Sequence, residues 1–145
     1  MKVLECSSIG DKRFSAFYAI ISVNGEIRSI EHHYQLSKRF IDSPPPVTIK
    51  QAKGREPNSI MIGNVSLGAN FLTQWYKLLW VKYLDYHPEL VEYASQFDEF
   101  TDKFRGGSKN CQADVVKQYV KEGRESVIAD CEQLLTILVA CQKSS

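Results

Sequence analysis

Apolar residues stand in short blocks and alternations over the first part of the chain, and recur at helical spacing over the rest. Residues 3–9 predict a short first strand, and residues 15–23, SAFYAIISV, a second that is apolar and aromatic. Asn24-Gly25 is the dipeptide of a type I′ turn, so residues 26–30 are expected to pair back on that strand. Residues 30–40, IEHHYQLSKRF, predict a helix with Ser29 as its N-cap. Pro44-Pro45-Pro46 then enforces an extended connection. Residues 48–53 predict one helical turn stopped by Gly54, and residues 60–67 a β excursion turning at Gly63-Asn64. The clearest helix is 71–86, where Phe71, Trp75, Leu78, Leu79 and Lys82 keep the 3.6-residue period. His87-Pro88 closes it, and Pro88 opens another helix to about Ala94. Residues 97–109 read as loop, followed by amphipathic helices at 110–121 and 124–141 with Gly123 between them. Short N-terminal strands followed by a mostly helical remainder make an α+β fold, one domain over 1–145. The helix at 124–141 is appended to it, and either covers the domain or forms a homodimer face.

Composition narrows the function classes. At 145 residues the chain can bury a sizeable core without staples, and 43% hydrophobic with 24% charged residues is ordinary for a globular protein. A net charge of +1 gives no general pull toward nucleic acid or an anionic membrane. Apolar runs such as LLWV are too short to cross a bilayer, and the charged start predicts no signal peptide, so a cytoplasmic protein with no membrane partner is expected. Cys6, Cys111, Cys131 and Cys141 have no C-x-x-C spacing. His32 and His33 are adjacent and His87 stands alone, so no zinc pattern appears. Reduced thiols are expected, with no metal and no cofactor.

Within the predicted helix at 30–40, Glu31, Gln35 and Lys38 fall at i, i+4 and i+7, which places them on one face together with Tyr34. A carboxylate, an amide and an amine converging there can protonate, orient and attack a sugar-like substrate. The same spacing also describes a solvated surface stripe.

Four segments in order resemble the NADAR (YbiA-like) superfamily, as a small phage or bacterial type of member. Its opening F-S-N-F-Y is matched by Phe14-Ser15-Ala16-Phe17-Tyr18, and its V-E-H-x-x-Q-x-x-K-F helix by Ile30-Glu31-His32-His33-Tyr34-Gln35-Leu36-Ser37-Lys38, with Phe40 one place late. A Gly-Arg step follows at Gly54-Arg55, then H-P-E-L at His87-Pro88-Glu89-Leu90. The late D-x-x-W-G motif is matched by Asp102-Lys103-Phe104-Arg105-Gly106, with Asn110 opening the next helix. The likeness covers about 12–121. Ala16 replaces the family asparagine and Arg105 the late tryptophan, so the base or ring specificity of other members is not carried over.

The resemblance implies cleavage of an N-glycosidic bond in a nucleotide or ADP-ribose-like conjugate, with nucleic acid a substrate only through a modified base. It implies Glu31 as acid/base, Lys38 as an amine that forms an imine with opened ribose, and Asp102 as an anchor or proton-transfer aid. Gln35 would hold a ribose hydroxyl, and Arg13 or Arg55 would help burial depress the Lys38 pKa. Phe17, Tyr18 and Phe104 would sandwich a base, and Gly54, Arg55, Arg105, Gly106 and Asn110 would receive phosphate. The rival readings are a binding protein that sequesters a nucleotide signal, favoured by Arg105, and a base or sugar transferase using the same intermediate.

Overall fold

A computed structural model describes residues 1–104 and 111–143 of the chain. It is an α+β arrangement built around one central helix, α3 (Leu72–Asp85). This helix is apolar nearly all round: Trp75, Tyr76, Leu78, Leu79, Trp80, Val81, Tyr83 and Leu84 are buried. A helix of that kind has to be covered on several sides at once.

The cover comes from short elements. Strands β1 (Val3–Glu5), β2 (Ile20–Val23) and β3 (Glu26–Ser29) precede helix α1 (Ile30–Leu36). Strand β4 (Lys38–Arg39), helix α2 (Ile49–Ala52) and strands β5 (Ser59–Ile62) and β6 (Val65–Gly68) lead to α3. After it come α4 (Pro88–Ala94), β7 (Glu99–Thr101), α5 (Gln112–Lys117), a π turn at Gln118–Glu122, α6 (Arg124–Asp130) and α7 (Glu132–Lys143). Helix α3 packs on α1, α4, α5, α6 and β2. The β2–β3 hairpin turns through Asn24 and Gly25 at φ 51° and 84°, the left-handed pair a type I′ turn requires.

Four expectations are corrected. The strand at 15–23 begins only at Ile20, because residues 15–19 form a turn in which the Ala19 N–H donates to the Ser15 carbonyl at 2.9 Å. The Ala19 and Ala16 carbonyls of this turn accept from the first N–H groups of α1, on Ile30 (2.8 Å) and Glu31 (2.9 Å), while Ser29 Oγ accepts from His32 N–H as the predicted cap. The helix at 30–40 stops at Leu36, since Lys38 and Arg39 pair antiparallel with Ile60 and Ser59. The expected loop at 97–109 contains β7, which pairs in parallel with β1 in the register Val3–Glu99 and Glu5–Thr101. The helix at 124–141 breaks at Cys131, where Gln74 of α3 reaches across: its Oε1 accepts from Leu134 N–H at 3.0 Å.

All four cysteines are free thiols, with Cys141 exposed and the others buried. No helix among the described residues is long and apolar enough to cross a membrane.

Candidate functional site

The start of α1 brings an acid and an amide into the protein interior. Glu31 is 8% exposed and Gln35 5%, and Gln35 Nε2 donates to Glu31 Oε1 at 2.9 Å across one helical turn. That bond fixes the amide's orientation and leaves Gln35 Oε1 buried without a protein partner. An orphaned buried acceptor carries a cost that a ligand hydroxyl or N–H could remove.

Lys38 joins this pair by a different route from the one its spacing predicts. It lies in β4, beyond the helix end, and is 5% exposed. Its Nζ donates to the carbonyls of Ala52 (3.3 Å) and Arg55 (3.2 Å) and stands 5.5 Å from the centre of the Tyr34 ring. Burial pulls its pKa below the usual lysine value, and the Glu31 and Glu56 carboxylates oppose that shift. The cause is therefore desolvation, and the Arg13 or Arg55 guanidinium has no part in it. Arg13 is held by Asp11 in a two-point contact at 2.7 and 2.9 Å and lies over Tyr93.

The turn that receives Lys38 is closed by Gly54 at φ 79°, a left-handed conformation suited to glycine. A Cβ there would meet nothing within 4 Å, so the backbone angle, not space, calls for glycine. The Arg55 side chain points to the neighbouring loop: it donates to Gln51 O, Asp42 Oδ1 and Ser43 Oγ and lies 3.8 Å from the Phe40 ring centre. Those contacts tie the guanidinium to the 40–43 segment, which is a bracing position more than an open phosphate fork.

The aromatic residues divide. Phe14 is core, stacked on Tyr93 at 6.3 Å. Phe17, Tyr18 and Phe104 are 43%, 50% and 63% exposed. Lys53 Nζ sits 4.7 Å over Phe17 and Lys12 Nζ 4.8 Å over Tyr18. A lysine ammonium thus covers one face of Phe17 and of Tyr18, and a base could stack only on the other.

Asp102 works as a turn cap and a tether. Its Oδ1 accepts from Phe104 N–H at 3.1 Å, and its Oδ2 accepts from Gln112 Nε2 at 3.0 Å. Gln112 Oε1 in turn accepts from Ala16 N–H at 2.6 Å. Since the Ala16 carbonyl accepts from Glu31 N–H, a single hydrogen-bonded path runs from Asp102 through Gln112 and Ala16 to Glu31. Sequence reasoning missed Gln112; its only signal was a long amide at the start of a predicted helix, and its partners are 10 and 96 residues away. Arg105, Gly106 and Asn110 lie outside the described residues. Among the described residues no group of three or more His, Cys, Asp or Glu side chains is placed to hold a metal ion.

The acid and amide are thus bonded to each other, the Glu31 carboxylate acts on the buried Lys38 amine through its charge, and backbone carbonyls tie Glu31 N–H to the 14–18 turn and Lys38 Nζ to the 52–55 turn. No protein-family model and no curated protein matches the chain.

Proposed function

We propose that the protein is an N-glycosidase acting on a nucleotide or ADP-ribose-like conjugate. The observation that carries the reading is the burial together of Glu31, Gln35 and Lys38, with Gln35 Oε1 left unsatisfied and Lys38 depressed in pKa. Carboxylates and amines are seldom buried without a purpose that repays their desolvation. The order of motifs shared with the NADAR superfamily supports the same assignment. In this reading Glu31 supplies or removes the proton at the departing base, and Gln35 Oε1 accepts from a ribose hydroxyl. Lys38, once neutral, adds to the sugar carbon: its nitrogen forms an imine with opened ribose, the base leaves with a proton, and water hydrolyses the imine. Phe17 gives the base a surface to stack on.

A second reading has its own observation. Lys38 Nζ donates to two backbone carbonyls, which is how a lysine clamps a loop. With Lys38 in that role the protein binds its ligand without covalent chemistry. Incubating the protein with NAD-derived and purine or pyrimidine nucleotides, followed by mass spectrometry, separates the cases. Free base supports the glycosidase, an exchanged base a transferase, and intact ligand that co-elutes with the protein a binding protein.

A further inference from the structure

The other flank of α1 borders a separate cavity of about 260 Å³. It lies between the tip of the β2–β3 hairpin, the His32–His33 side of α1, Arg39, the turn after β5 and Trp75 of α3. Glu31, Gln35 and Lys38 do not line it. The two turn tips abut there, with Asn24 Nδ2 2.9 Å from where a Cβ on Gly63 would stand, and the φ of 61° is what calls for glycine.

The polar groups around this cavity are mixed in kind. Trp75 borders it with its ring and is 5% exposed; its indole Nε1–H is buried behind the lining with no hydrogen-bond partner among the described residues. Arg39 uses Nη1 on the Leu36 and Lys38 carbonyls, which leaves its other N–H groups as donors. His33 Nε2 is 3.1 Å from the Ile21 carbonyl. A carbonyl only accepts, so that nitrogen carries the hydrogen and Nδ1 of the neutral ring is left as an acceptor. Ser37 Oγ donates to the Tyr34 carbonyl at 2.7 Å and keeps its lone pairs. Glu26 stands exposed at the mouth.

An inorganic anion would satisfy the donors, but it would face Glu26 and leave His33 and Ser37 unmatched. The volume lies just under the roughly 300–1,000 Å³ of ordinary ligand pockets, so the occupant is small. The Trp75 ring, the imidazole of His32 and the Met61 thioether give it flat, polarizable walls. We propose that this cavity is a second ligand site that takes a small planar heterocycle bearing both hydrogen-bond donors and acceptors, as a purine base does.

The test uses the ¹⁵N-labelled full chain titrated with adenine, adenosine and AMP, with benzoate and inorganic phosphate as ring-with-carboxylate and anion-only controls. The chain has two tryptophans, and Trp75→Phe assigns their indole N–H signals. The Trp80 indole is also buried, but it does not border the cavity, so it is the internal control. A saturable shift of the Trp75 signal with a purine, at constant Trp80, is the expected result. The order of adenine against adenosine and AMP tells whether the ring arrives free or on ribose. The exposed Asn24 amide lines the cavity and is taken as one partner of the ring, so Asn24→Gly, which suits the φ of 51°, should keep the melting temperature while weakening purine binding about three- to tenfold, the loss of one neutral hydrogen bond. The proposal is overturned by a Trp75 signal that no purine moves, by equal movement of both indoles, by benzoate or phosphate acting as strongly, or by undiminished binding in Asn24→Gly.

Discussion

Gln35 Nε2 donates to Glu31 Oε1 at 2.9 Å, and through that bond the one side chain sets how the other meets a ligand. The amide cannot flip without losing the carboxylate as acceptor, so its free oxygen is held facing away from Glu31. Replacing the acid by its own amide keeps an acceptor for Gln35 and removes the ionisable group. Glu31→Gln should therefore fold with a melting temperature near wild type and lose about a hundred- to ten-thousand-fold in turnover. Wild-type turnover by this variant would make Glu31 a structural residue.

The imine is tested at Lys38 itself. Borohydride added during turnover should trap a mass adduct on the peptide carrying Lys38, and Lys38→Ala should show none. The same substitution takes the donor from the Ala52 and Arg55 carbonyls, and should cost stability by about 1–3 kcal/mol in denaturant unfolding. Base release at full rate without an adduct points to direct attack by water.

Lys38 also predicts a pH dependence. Its folded pKa is lowered by burial, so between that value and the ordinary lysine value of 10.5 the unfolded chain binds more protons than the folded one. Stability contributed at this position should rise with pH through that window, and the penalty is full below the folded pKa. Turnover should climb as pH rises through the folded pKa, where neutral amine accumulates, and level off above it. Lys38→Met, compared by thermal melts across alkaline pH, should flatten the stability rise; an unchanged slope would place the titrating group elsewhere.

Gln112 ties Asp102 to the Ala16 backbone, so its loss should reach the site indirectly. Gln112→Leu orphans the Ala16 N–H and takes the amide donor from Asp102 Oδ2, an expected destabilisation of about 1–3 kcal/mol, and frees the turn carrying Phe17. KM should rise more than kcat falls. A variant with unchanged stability would show that the path carries no energy.

Arg55→Ala discriminates a brace from a phosphate ligand. Because the guanidinium is tied to Gln51, Asp42, Ser43 and Phe40, the substitution should weaken phosphorylated and unphosphorylated ligands alike. A loss confined to phosphorylated ligands, measured by calorimetry, would restore the phosphate role.

The parts of the fold legible in the sequence were those with local causes. Asn24-Gly25 needs left-handed angles, Ser29 offers a cap, and Pro88 begins a helix, whatever the rest of the chain does. What escaped depends on distant partners. LSKRF has a spacing that a helix accepts, and only pairing with residues 59–60 pulls Lys38 and Arg39 into a strand. Three residues at 99–101 carry no strand signal until Val3–Glu5 lies beside them. Cys131 breaks its helix with neither Gly nor Pro, because Gln74 caps the segment from another element. Glu31 and Gln35 were legible as neighbours from their four-residue spacing. That Lys38 lies in a strand and is clamped by the Ala52 and Arg55 carbonyls, and that Gln112 ties in Asp102, needed the tertiary structure.

The parallel pairing of β1 with β7 joins Val3 to Glu99, and so closes a loop of about two thirds of the chain before Asp102 comes into place. Contacts of such large sequence separation must offset their closure entropy before they return anything, and they are slow to form. During synthesis from the N-terminus, β1 has to wait without its mate until residue 101 has emerged, although the hairpin, α1 and α3 can already associate. Completion of the Asp102–Gln112–Ala16 path is then among the last events of folding, and the chain can be largely compact before its candidate site is whole.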